Sequence, residues 1–220
     1  MQFWIRAALT AVIAYLLGCF NGAVIISKYV LHDDVRTHGS GNGGLTNFLR
    51  TFGGPLTAVV LLTDMLKTVA AVLIGAALMR GAALPAFAQV MPAVLVKYWA
   101  GAFCLLGHVF PVTFRFRGGK GVLCGGTVAL LADWRVALAA WGAFLIVTAL
   151  TRYVSLGSCC AGTAFAVSSA LVYRDLPVAL LAAWMGGMLL WGHRGNFKRL
   201  LAGTERKLSF HKRKQGENQE

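Results

Sequence analysis

The sequence predicts an all-α polytopic membrane protein, a compact bundle of about seven transmembrane helices (five to seven), N-terminus outside and C-terminus cytoplasmic. Three observations carry that reading. Of the 220 residues, 57% are apolar and 13% charged, against roughly 45–50% and 25% in soluble domains. The apolar residues gather in long runs, and the basic residues gather on alternate connections between those runs.

A bilayer core of about 30 Å takes roughly 20 helical residues to cross, because hydrocarbon offers no partner to an open backbone group. Candidate spans run over residues 4–26, 55–79, 97–114, 122–132, 136–150, 159–173 and 177–191. The first has Arg6 ahead of its apolar run, as a signal peptide would, but it outlasts an h-region and no small-x-small cleavage site follows. The fourth is short for a full crossing. It reads as a tilted or half-buried helix, or as one fused to the helix after it. The 80–96 connection, apolar and carrying Pro85 and Pro92, is expected to pack at the outer interface, and the terminal KRKQGENQE reads as a frayed tail.

Orientation follows from the basic residues, which accumulate in short cytoplasmic loops. The region from His193 onward is strongly basic, which puts the C-terminus inside. Counting back through seven spans places 27–51, 115–121 and 152–158 on that same face, with Lys28, Arg36, Arg50, Arg115, Arg117, Lys120 and Arg152. The outer connections hold Arg80 and the Asp133/Arg135 and Arg174/Asp175 pairs, a smaller excess. The division expected is a transmembrane domain over 1–192 and a basic cytoplasmic tail over 193–220.

A net charge of +13 does not indicate nucleic acid, because the aromatics lie in apolar runs and are not interleaved with a basic surface. Cys19, Cys104, Cys124, Cys159 and Cys160 form no CxxC pair and no zinc-like spacing with histidine, so they read as core residues. No metal or cofactor is expected.

The inner loops carry the chemistry. The stretch HGSGNGGLTNFLR, from His38 to Arg50, holds Gly39, Ser40, Gly41, Asn42, Thr46 and Asn47. Such glycines let backbone N–H groups approach an anion, while hydroxyl and amide side chains orient its oxygens and Arg50 supplies a charged fork. Taken alone, the stretch is equally a tight turn. The second inner loop repeats the chemistry in FRFRGGKGV, with Gly118, Gly119, Lys120 and Gly121. It is not a Walker A motif, since GxxxxGK[ST] is absent. A polyanionic guest is expected.

Asp64 and Lys67 share one face of the second span and must pair or face a polar cavity, as an ion pair serving structure or as part of a site. Asp64 lies well down the span, nearer a cavity floor than its mouth. His108 and His193 stand at the inner ends of the third and last spans, either as hydrogen-bonded structural residues or as groups that hold or deprotonate a substrate hydroxyl. His32 and His38 are less clearly placed, and His211 lies in the tail. Ser155 and Ser158, in RYVSLGS, cap the next helix or touch a phosphate. No HxxxxD pair, GxSxG elbow or DDxxD cluster accompanies them, which weighs against Ser/His/Asp hydrolysis.

Several motifs in order resemble those of the bacterial acyl-phosphate:glycerol-3-phosphate acyltransferase family, PlsY, over nearly the whole chain. They are Asp34-Val35-Arg36 with Gly39-Ser40-Gly41-Asn42, then Gly44-Leu45-Thr46-Asn47 closing at Arg50; Asp64 and Lys67; Gly107-His108-Val109-Phe110-Pro111 with Gly118-Gly119-Lys120-Gly121-Val122; Ser155-Leu156-Gly157-Ser158; and His193-Arg194-Gly195-Asn196 running on through Arg199 to Glu205. Departures are Cys19 for Ser, Gly43 for Pro, Leu45 for Ala, Thr68 for Gly, Leu123-Cys124 for Ala-Thr and Gly195 for Glu.

The resemblance implies a multi-pass inner-membrane enzyme that moves a fatty acyl group from a long-chain acyl phosphate to the sn-1 hydroxyl of glycerol 3-phosphate, giving lysophosphatidic acid and phosphate. It implies Ser40, Arg50, Lys120, His193 and Asn196 as catalytic residues. It further implies Gly39, Gly41, Asn42, Thr46, Asn47, Asp64, Lys67, His108, Gly118, Gly119, Gly121, Ser155 and Glu205 as substrate-binding, so that 193–205 contributes to the site. Membrane lipids surround it, and a functional link to the enzyme making acyl phosphate is implied. The proton acceptor stays open among His193, His108 and a substrate phosphate. An anion or phosphate-ester transporter is the competing class, opposed by the missing inverted repeat and by the concentration of anion chemistry at one face.

Overall fold

The computed structural model describes residues 2–81 and 92–208. Among these residues ten α-helices run in order: α1 (Gln2–Cys19), α2 (Gly22–Ile25), α3 (Leu45–Thr51), α4 (Leu56–Met79), α5 (Pro92–Val109), α6 (Val122–Ala132), α7 (Trp134–Thr151), α8 (Val154–Tyr173), α9 (Leu176–Gly192) and α10 (Arg194–Leu201). A π turn over Ile26–Val30 prolongs α2, and 3-10 turns occupy Val35–Thr37 and Val112–Phe114. Among the described residues there is no strand. Most of the 80–96 connection and the end of the tail, with His211, lie outside them.

Among the described residues, five helical runs are long and apolar enough to cross a membrane: Gln2–Val30, Leu56–Met79, Ala93–Phe114, Trp134–Thr151 and Val154–Tyr173. The pair α9 and α10, bent by 53°, makes a sixth if taken as one span. The fourth expected segment, Val122–Ala132, is an 11-residue helix with the boundaries read from the sequence. It is not fused to α7. Asp133 is extended and caps α7 by accepting from the Arg135 N–H, and Trp141 Nε1 donates back to the Gly126 carbonyl at 3.1 Å. The two helices therefore fold on each other as a hairpin. The third span, α5, is already helical at Pro92, five residues before the expected 97, and α8 starts at Val154 instead of 159. Ser155 and Ser158 are accordingly helical, not loop residues.

Leu138, Leu145, Leu150, Leu171 and Leu180 point outward, each at least 60% exposed, which is the skin a bundle presents to lipid. Inside, the largest core cluster joins α5 to α9 through Tyr98, Leu105, Val128, Val136, Phe165, Val178 and Met185. A second cluster under the first inner loop joins Val24, Val35, Phe48, Val60 and Phe114. Lipid tails do not drive helices together by hydrophobicity, so close backbone packing through small residues must do so. At the α1–α5 crossing a Cβ on Gly18 would lie 2.1 Å from the Cys104 carbonyl oxygen, and one on Gly107 would lie 2.1 Å from that of Tyr15. That contact fixes the end of α5, where His108 follows.

Helices α4 with α5, α6 with α7, and α8 with α9 each carry the chain away and back. The loops after α2, α5 and α7 and the bend after α9 thus lie at one end of the bundle. The start of α1 lies at the other, where Arg6 Nη1 donates to the Arg80 carbonyl at 2.7 Å.

Candidate active site

Arg36 stitches the first two inner loops together. Its guanidinium pairs with Asp34 at 2.7 Å and donates to the carbonyls of Phe114 at 3.0 Å and Arg117 at 3.1 Å. That pairing holds the Asp34 carboxyl below its usual range. The Gly43 N–H donates to the Gly118 carbonyl at 3.1 Å, and Asn21 Nδ2 donates to the Gly43 carbonyl at 3.0 Å. The two glycine-rich segments are therefore one surface.

Within the first loop, Asn47 is the organiser. Its Oδ1 accepts from the Ser40 N–H at 3.0 Å, and its Nδ2 serves the carbonyls of Val35, His38 and Asn42 at 2.9–3.1 Å. The amide expected to contact substrate is thus engaged by its own loop. Gly39 and Gly41 turn the chain at φ values of 59° and 68°, conformations that cost an L side chain energy. They act on loop shape and do not line the cavity.

The second loop departs from expectation in an informative way. The N–H of Gly118 donates to Val109 O at 3.2 Å and that of Gly119 to His108 O at 3.0 Å. These two donors are taken, so they form no anion cradle. Glycine is needed for contact instead: a Cβ would lie 2.0 Å from His108 O at position 118, and 2.1 Å from His108 Nε2 at position 119.

Open backbone donors come from two helix starts. Helix α6 begins after Gly121 with no side-chain cap, and its first closing bond is Gly125 N–H to Gly121 O. Helix α8 begins after Tyr153, again without a side-chain cap, and closes first from Gly157. Gly121, Val122, Leu123, Val154 and Ser155 line one cavity, so the positive ends of two helices meet there, an arrangement that favours anions. The missing Ser, Thr, Asp or Asn ahead of Val122 and Val154 was the available signal.

The chain after α9 closes this cavity. Glu205, buried, accepts from Ser155 Oγ at 2.8 Å and Asn196 Nδ2 at 2.7 Å through one oxygen, and from Arg199 Nε at 2.7 Å through the other. Burial would raise its carboxyl, but those bonds outweigh it and hold the group below its ordinary value. Asn196 Oδ1 accepts from Lys120 Nζ. Burial pushes the Lys120 ammonium down to about 8 against the pull of Glu205. His193 directs Nδ1 to the Leu189 carbonyl at 2.8 Å, so that nitrogen carries the proton and Nε2 keeps its lone pair.

On the floor, Lys67 Nζ donates to Asp64 at 2.7 Å, to the Phe20 carbonyl at 2.9 Å and to His108 Nδ1 at 2.8 Å. Asp64 and His108 face the cavity, and Lys67 stands behind them. Ser40, Asn42, Thr46, Asn47, Arg50, Lys120, Ser155, His193, Asn196 and Glu205 also line it, around about 220 Å³. Ser158, a cap or phosphate contact by its sequence position, lines it as well, and Leu61, Trp141 and Phe144 on its walls carry no such signal in the sequence. Beyond Val122, Trp141 and Phe144 an apolar cleft continues between α5, α6, α7, α8 and α9. Among the described residues no cluster of His, Cys, Asp and Glu is arranged to hold a metal ion.

A membrane bundle with a cationic, anion-directed cavity against an apolar cleft defines a multi-pass enzyme that joins a phosphorylated group to a lipid chain. A family model described as glycerol-3-phosphate acyltransferase matches residues 8–203. A glycerol-3-phosphate acyltransferase of Thermoanaerobacter sp. (strain X514) is 40% identical over 204 residues, 92% of this chain and 96% of the relative. One of Pseudomonas putida (strain KT2440) is 38% identical over 209 residues, 93% and 99% of the two chains. The crystal structure of PlsY (YgiH), an integral membrane glycerol 3-phosphate acyltransferase, in its glycerol 3-phosphate form superposes with a TM-score of 0.80 at 31% identity, over 92% of this chain and 96% of that one. Its lysophosphatidic acid form gives 0.77 at 30% identity, over 92% and 95%. The chain belongs to the PlsY family of glycerol-3-phosphate acyltransferases.

Proposed function

We propose that the cavity transfers an acyl group from acyl phosphate to the sn-1 hydroxyl of glycerol 3-phosphate, releasing phosphate and lysophosphatidic acid. The supporting observation is that Lys120, Arg50 and two uncapped helix starts face one space that abuts an apolar cleft. An acyl phosphate is already activated, because phosphate is a competent leaving group. No covalent enzyme intermediate is required. Arg50 and Lys120 neutralise the phosphates, and the helix starts stabilise charge as the carbonyl carbon exchanges its bond to phosphate oxygen for one to the glycerol oxygen. The hydroxyl proton leaves to the lone pair on His193 Nε2 or to the departing phosphate. Asp64, Ser40, Asn42, Thr46 and Ser155 shape the space, while Asn196 and Glu205 hold Lys120.

The acyl chain fits the apolar cleft lined by Leu105, Gly125, Phe165 and Leu189 among others. The cleft measures only about 30 Å³, so a chain seated there must part α6 from α8. We place the site on the cytoplasmic side of a bacterial inner membrane, with the N-terminus outside, because Lys28, Arg36, Arg50, Arg115, Arg117, Lys120 and Arg152 share its end of the bundle. We read residues 1–192 as the membrane domain, with 193–205 of the basic tail completing the site. The donor ties the protein functionally to a reaction that makes acyl phosphates.

The test incubates purified protein in detergent or lipid with glycerol 3-phosphate and palmitoyl phosphate. Equimolar lysophosphatidate and phosphate are expected. Turnover with acyl-CoA or acyl carrier protein, and none with acyl phosphate, would overturn the donor. Uptake of glycerol 3-phosphate into sealed vesicles without any donor would instead establish a transporter.

A further inference from the structure

Lys67 is an ammonium within a membrane-spanning helix, and each of its three protons has an acceptor: Asp64 Oδ1, the Phe20 carbonyl and His108 Nδ1. An ammonium only donates. Nδ1 of His108 must therefore offer its lone pair, which leaves the single proton of the neutral ring on Nε2. Protonating Nδ1 as well would set two cations 2.8 Å apart in a low-dielectric interior, a costly arrangement. The carboxylate of Asp64, bonded to Lys67 at 2.7 Å, keeps the lysine charged and the tautomer fixed.

His108 Nε2 has no bond to any described residue, yet it is not among the buried side-chain atoms without a partner, which are the hydroxyls of Thr127 and Thr148. Its N–H accordingly opens on the cavity that His108 lines. Gly119 keeps that opening clear, since a Cβ there would lie 2.1 Å from Nε2.

We infer that His108 donates its Nε2–H to an anionic oxygen of the phosphorylated substrate, with Asp64 and Lys67 as positioning residues that hold it in the donor form. The inference rests on the acyltransferase reading. It assigns His108 a role opposite to that of a base: the ring gives a hydrogen bond and takes no proton. Glycine at 119 is thereby explained without any phosphate contact from its own N–H.

The experiment compares His108→Gln and His108→Leu with the unaltered protein in the palmitoyl phosphate assay. A glutamine amide supplies a donor of similar reach but cannot act as a base. His108→Leu should lower kcat/KM about ten- to hundredfold, the range of a lost hydrogen bond to a charged group, and His108→Gln should recover most of it. Equal loss in both variants, or no loss in His108→Leu, overturns the inference.

The Asp64→Asn/Lys67→Met double variant should lose activity to a similar degree, and adding His108→Leu to it should cost little more, because the positioning pair acts through the ring. Full additivity refutes that coupling. Should His108→Leu not purify as a monodisperse protein, Gly119→Ala, which covers Nε2 while keeping the ring, carries the same question. Undiminished turnover in it refutes the donor role. No turnover in the unaltered protein would instead strike the acyltransferase reading, while glycerol 3-phosphate binding to His108→Leu, measured by calorimetry, still reports on the donor.

Discussion

Asn196 stands between Lys120 and Glu205, accepting from the lysine through Oδ1 and donating to the carboxylate through Nδ2 at 2.7 Å. A side-chain amide thereby transmits the position of a carboxylate on the tail to a cation in the loop before α6. Asn196→Ala removes both contacts at once. Lys120 then keeps its charge but loses its aim, so kcat/KM should fall about ten- to hundredfold. Steady-state kinetics on a variant of unchanged thermal stability checks this; near-normal turnover would show that Lys120 needs no such anchor.

The same lysine sets an alkaline limit. Burial holds Lys120 at about 8, well below the ordinary value near 10.4, so its positive charge is present below that pH and is lost as pH rises through it. Since the cation neutralises substrate phosphate, kcat/KM should decline tenfold per pH unit above about 8. Bound anions favour the charged form, so the limb in kcat should lie higher. Lys120→Arg should remove the limb altogether, because a guanidinium stays ionised across this range. A limb that persists in Lys120→Arg would belong to another group.

Why some residues were legible and others not follows from what residue types encode. Val122–Ala132 could be bounded because Gly121 and Asp133 bracket an apolar run, and the helix keeps those limits. The long spans stood out by composition, and the grouping of basic loops at one end followed from simple alternation. Asn47, Gly118 and Gly119 suit anions by residue type alone. Whether a donor is free depends on which carbonyl folds against it, and the carbonyls of His108, Val109 and Val35 are remote in sequence or carry no signature of their own. Glu205 was identifiable only through a motif. Nothing in its local sequence announces that it meets Ser155, 50 residues away.

The α1–α5 crossing predicts a stability effect with an internal control. Gly107→Val places a branched side chain where even a Cβ would lie 2.1 Å from the Tyr15 carbonyl oxygen and 3.0 Å from Gly18 Cα. Neither neighbour is a flexible side-chain end, so the helices must separate, at a cost of about 1–3 kcal/mol or more. Gly142 sits in α7 with nothing within 4 Å of where a Cβ would stand, and Gly142→Ala should be neutral or gain up to about 1 kcal/mol from helix propensity. Thermal unfolding in detergent measures both. Equal midpoints would mean that the crossing is not a close backbone contact.

The apolar cleft makes chain length a structural variable. Gly125 lines it with open space within 4 Å of its would-be Cβ, whereas Gly126 is pressed against Trp141 at 2.5 Å. A leucine at 125 therefore projects into the cleft without first disturbing the helix pairing. Each methylene kept from an apolar site costs about 0.8 kcal/mol, close to fourfold in affinity. Gly125→Leu should then penalise palmitoyl phosphate relative to decanoyl phosphate by roughly tenfold or more, while KM for glycerol 3-phosphate holds. The ratio of kcat/KM for the two donors is the quantity to measure. A uniform drop for both donors would mean that the chain lies elsewhere, against a different face of the bundle.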